Sequence, residues 1–391
     1  MVALFLIVFV GMMGTSLLAP LIPFYAARLG LTPEYITAII GLYALCQFVA
    51  APLLGQISDR WGRKPVLMLT SAGQCLAFAF LAFTDSVWLL VLSRVIGGVC
   101  AGNLATAYAY VTDTTTPENR ASGMGKVGAA FGLGFVLGPA LGGVLAGGET
   151  LMDGNFLAPA LTASGIAALA FVCAALFLKE SRKPDAASKP MSLNPLGRFD
   201  VVAGNRDLLL VLVLAFLLLL ASSVREATIA LWVNDAFKLS SRELGFLFAY
   251  TGLVITALQG AVLGGLSKKF GEENVLLIGI VAYGVGLASF VAMQSIPVLI
   301  LGTTLNAIGT AVFSNALPTV SSKLARADQR GLVLGVYQST GSLARFIGPS
   351  FAGVIYAHVA ITAPFAFGVA VLAVGLVLAL VIRRRIGAAR G

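Results

Sequence analysis

Residues 55–67 read GQISDRWGRKPVL, and residues 264–276 read GGLSKKFGEENVL. Each is a short polar stretch between two long apolar runs. Gly55, Ser58, Gly62, Val66 and Leu67 match Gly264, Ser267, Gly271, Val275 and Leu276 at an offset of 209. A second pair, GPALGGVLAG (138–147) and GPSFAGVIYA (348–357), repeats at an offset of 210, as do Arg120 and Arg330. Landmarks that recur at nearly one spacing across half the chain mark a parallel duplication.

Around these stretches the chain is built for lipid. Of its 391 residues, 58% are hydrophobic and 11% charged, far below the roughly 25% charge of a soluble domain. Twelve apolar spans are expected, near 2–28, 35–56, 66–84, 87–112, 122–147, 157–179, 208–234, 243–266, 274–294, 297–322, 332–357 and 362–382. The first is full length and lacks a small-residue cleavage site, so it is expected to remain as a span. The polar segment 180–207, rich in Pro and charge, divides the spans six and six. It reads as a linker between an N-terminal bundle (1–179) and a C-terminal bundle (208–391). The expected fold is therefore an all-α membrane protein of two pseudo-symmetric six-helix bundles.

The even-numbered loops and the C-terminus hold 20 of the 26 Lys and Arg, while the opposite face has only Arg28, Lys238 and Arg242. Cytoplasmic loops collect Lys and Arg, so both termini are expected in the cytoplasm of a plasma (bacterial inner) membrane. The net charge of +9 then reflects orientation, and no soluble basic face exists for nucleic acid. The four cysteines lie in apolar spans at no metal spacing and read as packing residues.

The 55–64 loop resembles the loop signature of the major facilitator superfamily, Gly-x-x-x-Asp-Arg-x-Gly-Arg-Arg/Lys, through Gly55, Asp59, Arg60, Gly62, Arg63 and Lys64. Gly125, Gly134, Gly138, Pro139, Gly142 and Gly143 in span 5 fit the pattern carried by the family's antiporters. A span 4 pattern is partly met, with Arg94 and Gly98 in place and Gly97 where a glutamine is often found. With Pro20 and Pro23 in LAPLIPFY (18–25), the chain is similar to drug–proton antiporters, most of all the tetracycline-efflux branch. That branch carries an aspartate where this chain has Gly11, so its site does not transfer whole. The resemblance implies that Asp59 holds the basic face shut against a helix N-terminus, with the start of span 11 after Arg330 as the expected partner. It also implies that Asp113 pairs with Arg60 or Arg63.

The sharpest residues stand in LLLLASSVREATIALW (217–232). A charge at a helix centre in lipid costs from roughly 2.5 to over 10 kcal/mol. Of the 17 acids, Glu226 alone lies inside a span. A proton-coupled carrier needs a carboxyl group that can protonate in low dielectric, and elimination leaves Glu226. Arg94 lies at similar depth and is expected to pair with it. Arg225 and Arg345 make the membrane interior net positive and are expected to line a substrate cavity. Asn103, Tyr108, Gln259, Asn306, Asn315, Tyr337 and Gln338 join that set, each also readable as an interhelical hydrogen-bond partner.

The expectation is a monomeric proton-coupled antiporter that exports a small amphiphilic compound by alternating access, in contact only with substrate and membrane lipids. The alternative is an exporter or flippase of lipid-like or organic anions. No nucleophile–base set and no Gly-Lys-Ser/Thr loop for ATP occur, so an enzyme is not expected, no cofactor is called for, and an ion gradient supplies the energy.

Overall fold

Hydrocarbon offers backbone amides no partner, so each apolar run closes its hydrogen bonds internally as a helix. The structure, a computed structural model, describes residues 2–148, 153–181, 205–292, 295–326 and 329–388. Of the sequence landmarks, most of the 180–207 linker, Glu149, Asp328 and the side chains of Arg120 and Arg330 lie outside the described residues.

The helices in chain order are α1 (Val2–Leu18), α2 (Ile22–Arg28), α3 (Pro33–Trp61), α4 (Arg63–Ala82), α5 (Val87–Cys100) and α6 (Leu104–Thr114). Next come α7 (Pro117–Ala146), α8 (Leu157–Phe177), α9 (Arg206–Phe237) and α10 (Ser241–Ala257). The chain continues through α11 (Leu263–Phe270), α12 (Glu272–Ala292), α13 (Ile296–Leu324), α14 (Arg330–His358) and α15 (Ala363–Ala388). A 3-10 turn, Ala101–Asn103, joins α5 to α6, and a π-helical turn, Leu258–Val262, joins α10 to α11.

Ten stretches are each long and apolar enough to cross a membrane, and α1 with α2, bent by 41° near Pro20, makes an eleventh. The twelfth expected span, α14, has the length, at 29 residues. It is more polar than the others because it carries Arg345 and the run QSTGS (338–342). The architecture is all-α, with the twelve spans in two pseudo-symmetric six-span bundles.

By packing, the chain forms two compact units. The first is Met1–Thr32, Leu42–Leu193 and Lys238–Tyr250; the second is Pro33–Gly41, Asn194–Phe237 and Thr251–Gly391. These differ from the halves read in the sequence at Pro33–Gly41 and Lys238–Tyr250. The cause is local. Near the end of α7, a Cβ on Gly143 would meet the Ser241 carbonyl oxygen at 2.5 Å and the Cα of Gly245 at 2.9 Å, so α10 begins pressed on α7. In the second unit, Gly353 of α14 sits as tightly on Pro33 and Thr37 of α3, and its amide donates to Thr37 Oγ1 at 3.1 Å. Gly143 and Gly353 are equivalent at the 210-residue offset.

The same correspondence organises each unit's interior. In the first, Gly134, Gly138 and Gly142 form one face of α7 seated on α1. A Cβ on Gly138 would lie 2.7 Å from the Met13 oxygen and 2.8 Å from the Leu17 nitrogen. Ser16 Oγ donates to the Gly134 oxygen at 2.8 Å across this seam. In the second, Gly348 of α14 packs on Ser223 and Val224 of α9, and Ser223 Oγ donates to the Ala344 oxygen at 2.9 Å. One serine–glycine clasp thus occurs twice. Beside it, Trp232 fills the second unit's core against Phe290 and Phe365, with ring centroids 5.0 and 5.2 Å away.

Gly138→Ala and Gly348→Ala are each expected to lower the midpoint of thermal unfolding in detergent, at about 1–3 kcal/mol for overpacking a seam. Gly125→Ala, whose methyl group meets nothing within 4 Å, should leave it unchanged. Identical melting of all three variants would remove the clasp as a determinant of the fold.

Candidate functional site

The loop between α3 and α4 is held by one buried arginine. Gly62 adopts φ +101°, and Glu180 places its carboxylate where a Cβ on Gly62 would stand. That carboxylate accepts the amides of Arg63 at 2.8 Å and Lys64 at 3.1 Å, an anion on the positive end of α4. The Arg63 guanidinium then turns inward, 6% exposed, to Asp59 at 2.8 Å, Asp113 at 2.9 Å and Ser58 at 2.6 Å. Lys64 Nζ donates to the Ala175 oxygen at 2.7 Å. Of the two partners expected for Asp113, Arg63 forms this bond. Glu180, read in the sequence as a linker acid, is the cap that positions the loop.

The second copy keeps one of the two ion pairs and reverses the charges. At offsets of 209 and 210, Asp59, Arg63 and Asp113 become Lys268, Glu272 and Lys323. Lys323 Nζ bonds both Glu272 oxygens, at 2.8 and 2.7 Å, as Asp113 does Arg63. Two acids around one base in the first unit answer to two bases around one acid in the second. Aligning the two loops by charge would have revealed this from sequence.

Within the spans, α9 carries the decisive pair, both in the second unit. Arg225 is buried, and its Nε donates to the hydroxyl of Tyr283 on α12 at 3.0 Å. It therefore turns toward span 9, where the sequence reading had it lining a substrate cavity. Glu226, one residue on and about 100° round the helix, is exposed. Ser222 Oγ donates to Glu226 Oε1 at 3.2 Å. Arg225 and Arg345 both feel the charge of Glu226, yet neither forms a salt bridge to it among the described residues. Arg345 is half-buried, donates to Ser342 Oγ at 3.2 Å and lies near Tyr337.

Arg94 belongs to the first unit. It is buried, with its guanidinium carbon 5.8 Å from the centre of the Tyr43 ring and Nε donating to Ser93 Oγ at 3.3 Å. Its Nη2 is buried without a hydrogen-bond partner in the structure.

The remaining polar candidates separate by environment. Gln259, Asn315 and Gln338 are exposed, and Gln259 and Asn315 line one cavity of about 560 Å³ in the second unit. Asn306 is fully buried, with its side-chain amide on the Gly302 oxygen at 2.7 Å, and so serves packing of α13 on α12. Asn103 donates to Thr70 Oγ1 at 3.1 Å, an interhelical bond. Tyr108 packs on the apolar core of the first unit, and Tyr337 is buried.

Comparison with known proteins fixes the family. The Major Facilitator Superfamily matches residues 4–224 and, again, 211–390. The chain belongs to the Major Facilitator Superfamily. The double match reflects the duplication in the chain. The tetracycline resistance protein, class C, of Escherichia coli is 31% identical over 83% of this chain and 80% of its own. The major facilitator superfamily domain-containing protein 10 of Bos taurus is 31% identical over 86% of this chain and 77% of its own. Among solved structures, the human organic anion transporter MFSD10 (TETRAN) superposes with a TM-score of 0.72 at 27% identity, covering 97% of this chain and 98% of that one. Members of this superfamily are transporters, and the protein is a membrane transporter and not an enzyme.

Two features of the superfamily pattern gain a physical reading in this member. Where Gly97 departs from the span 4 pattern, Gln74 of α4 brings an amide to the position, with Nε2 donating to the Gly97 oxygen at 3.0 Å. In the span 5 pattern, Gly134, Gly138 and Gly142 serve the α1 seam and Gly143 serves α10, while Gly125 has open space. Gly11 also has nothing within 4 Å, so the aspartate of the tetracycline branch would fit there sterically.

The two charge clusters should differ in weight. A buried arginine that bridges two acids holds more than an exposed pair, which is worth about 0–1 kcal/mol. Arg63 is 6% exposed and Lys323 is 59% exposed. Arg63→Ala is therefore expected to lower the unfolding midpoint by several degrees more than Lys323→Ala in parallel thermal melts.

Proposed function

We propose that the protein is a proton-coupled antiporter that exports a small amphiphilic compound by alternating access, with Glu226 as the proton carrier. One observation carries this reading. The chain's single intramembrane acid is exposed on its helix, holds one serine hydrogen bond, and stands in the field of Arg225 and Arg345 without being neutralised by either. Such a carboxylate is reachable by a proton, and ionisable groups inside a membrane span mark ion pathways and proton relays. The buried guanidinium of Arg94, whose Nη2 lacks a hydrogen-bond partner, is proposed to share in coupling. Relatives named for tetracycline resistance, together with multidrug resistance protein 2 of Bacillus subtilis (26% identical over 96% of this chain), support export of a drug-like compound. The charge asymmetry of the loops supports a plasma-membrane setting with both termini cytoplasmic.

Glu226→Gln in proteoliposomes should abolish substrate movement driven by a pH gradient while leaving energy-independent exchange in place. Full gradient-driven transport by this variant would end the coupling role.

A second reading, export of organic anions, has its own support. Three arginines face one acid within the spans, and a structural relative at 27% identity is described as an organic anion transporter. Competition between anionic and cationic amphiphiles for uptake into inverted vesicles separates the two, with the anion expected to dominate if the positive interior selects substrate.

A further inference from the structure

The reversed charge cluster of the second unit opens onto a cavity of about 560 Å³, bounded by the π-helical turn, α11, α12 and α13. At its basic end stand Lys268 and Lys323, the latter paired with Glu272. Gln259 lies nine residues before Lys268, and Asn315 eight before Lys323, so both amides sit about 12–13 Å deeper along their helices. Leu263, Val275 and Val312 supply apolar wall.

Three observations mark this cavity as built to receive something. First, Glu272 spends both oxygens on Lys323, at 2.8 and 2.7 Å, and Lys268 has no ion-pair partner among the described residues. The cluster therefore keeps an uncompensated positive charge at the mouth. Second, the π turn inserts an extra residue into the helix, and none of Leu258–Val262 is buried. Turns of this kind are frequent at functional sites. Third, the stretch Ser241–Phe270 is the least packed of the ten unbent spans among the described residues, with 11% of its apolar window buried against 33–61% in the other nine. The groove beside it is left open by the protein's own side chains.

The geometry points to a recognition site for an amphiphilic organic anion, whose carboxylate or sulfonate is held by Lys268 and whose body lies along the apolar wall. Its polar atoms reach Gln259 and Asn315. The net charge selects an anion over a cation. The amides at the deep end select a compact organic anion over a diacyl lipid, whose chains would meet polar groups there. The inference rests on the export reading, and in particular on its anionic form, for the sense that the site loads substrate from the basic face. The binding itself does not depend on flux.

The test uses full-length protein in phosphatidylcholine nanodiscs, titrated with a dansyl-labelled medium-chain carboxylate and with its uncharged methyl ester. Lys268→Gln should weaken carboxylate binding about tenfold and leave the ester unchanged, while Lys268→Arg retains binding. Lys268 is exposed at a helix end, so these variants are expected to fold, and unaltered thermal melts verify it. Equal carboxylate affinity of wild type and Lys268→Gln would overturn the site. So would complete displacement of the carboxylate by phosphatidylglycerol added to the nanodiscs, which would assign the cavity to a lipid headgroup. Loss of all flux in proteoliposomes with the binding pattern intact would refute export and leave the anion site standing.

Discussion

In lipid no water is squeezed from between two helices, so a seam must hold by direct contact and by hydrogen bonds it alone provides. The clasps at Gly138 and Gly348 meet that requirement in the same way. A glycine lets backbone touch backbone, and a neighbouring serine, Ser16 or Ser223, bridges to a carbonyl of the facing helix. The remainder of each unit is arranged around this contact. A few residues further along the same helices, Gly143 and Gly353 draw in the first turns of α10 and α3.

Charge inside the spans is arranged with similar economy. Arg225 is buried and satisfied by Tyr283, which makes it a structural anchor of α9 on α12. Glu226, the adjacent residue, is left accessible and lightly held. A rotation of about 100° between neighbours is enough to give two charges opposite roles. Arg345, half-buried on α14, donates to Ser342 Oγ and forms no salt bridge to Glu226 among the described residues.

The duplication also diverged in an orderly way. Both copies of the loop keep the glycine at positive φ, Gly62 and Gly271, since a left-handed turn starts the next helix in each. Both keep an ion pair between that loop and the helix beside it. The sign of the charges changed, and with it the burial. In the first copy the arginine is enclosed and capped by Glu180, which suits a rigid element. In the second the lysines remain at the surface beside an open cavity, and Lys268 has no ion-pair partner among the described residues.

Much of the fold was legible in the sequence because hydrocarbon imposes a strict length and composition on each span. The duplication, the charge asymmetry and the membership of a transporter superfamily followed from patterns that survive without coordinates. Glu226 stood out for the same reason, since a lone acid among apolar residues is visible by counting. What the chain order could not supply was direction and partnership. Arg225 faces Tyr283, Asn306 is enclosed by α12, Glu180 caps α4 from more than a hundred residues away, and Gln259 and Asn315 line one cavity. A period of 3.6 residues says which side chains share a face, and only the packing of the helices says what that face meets.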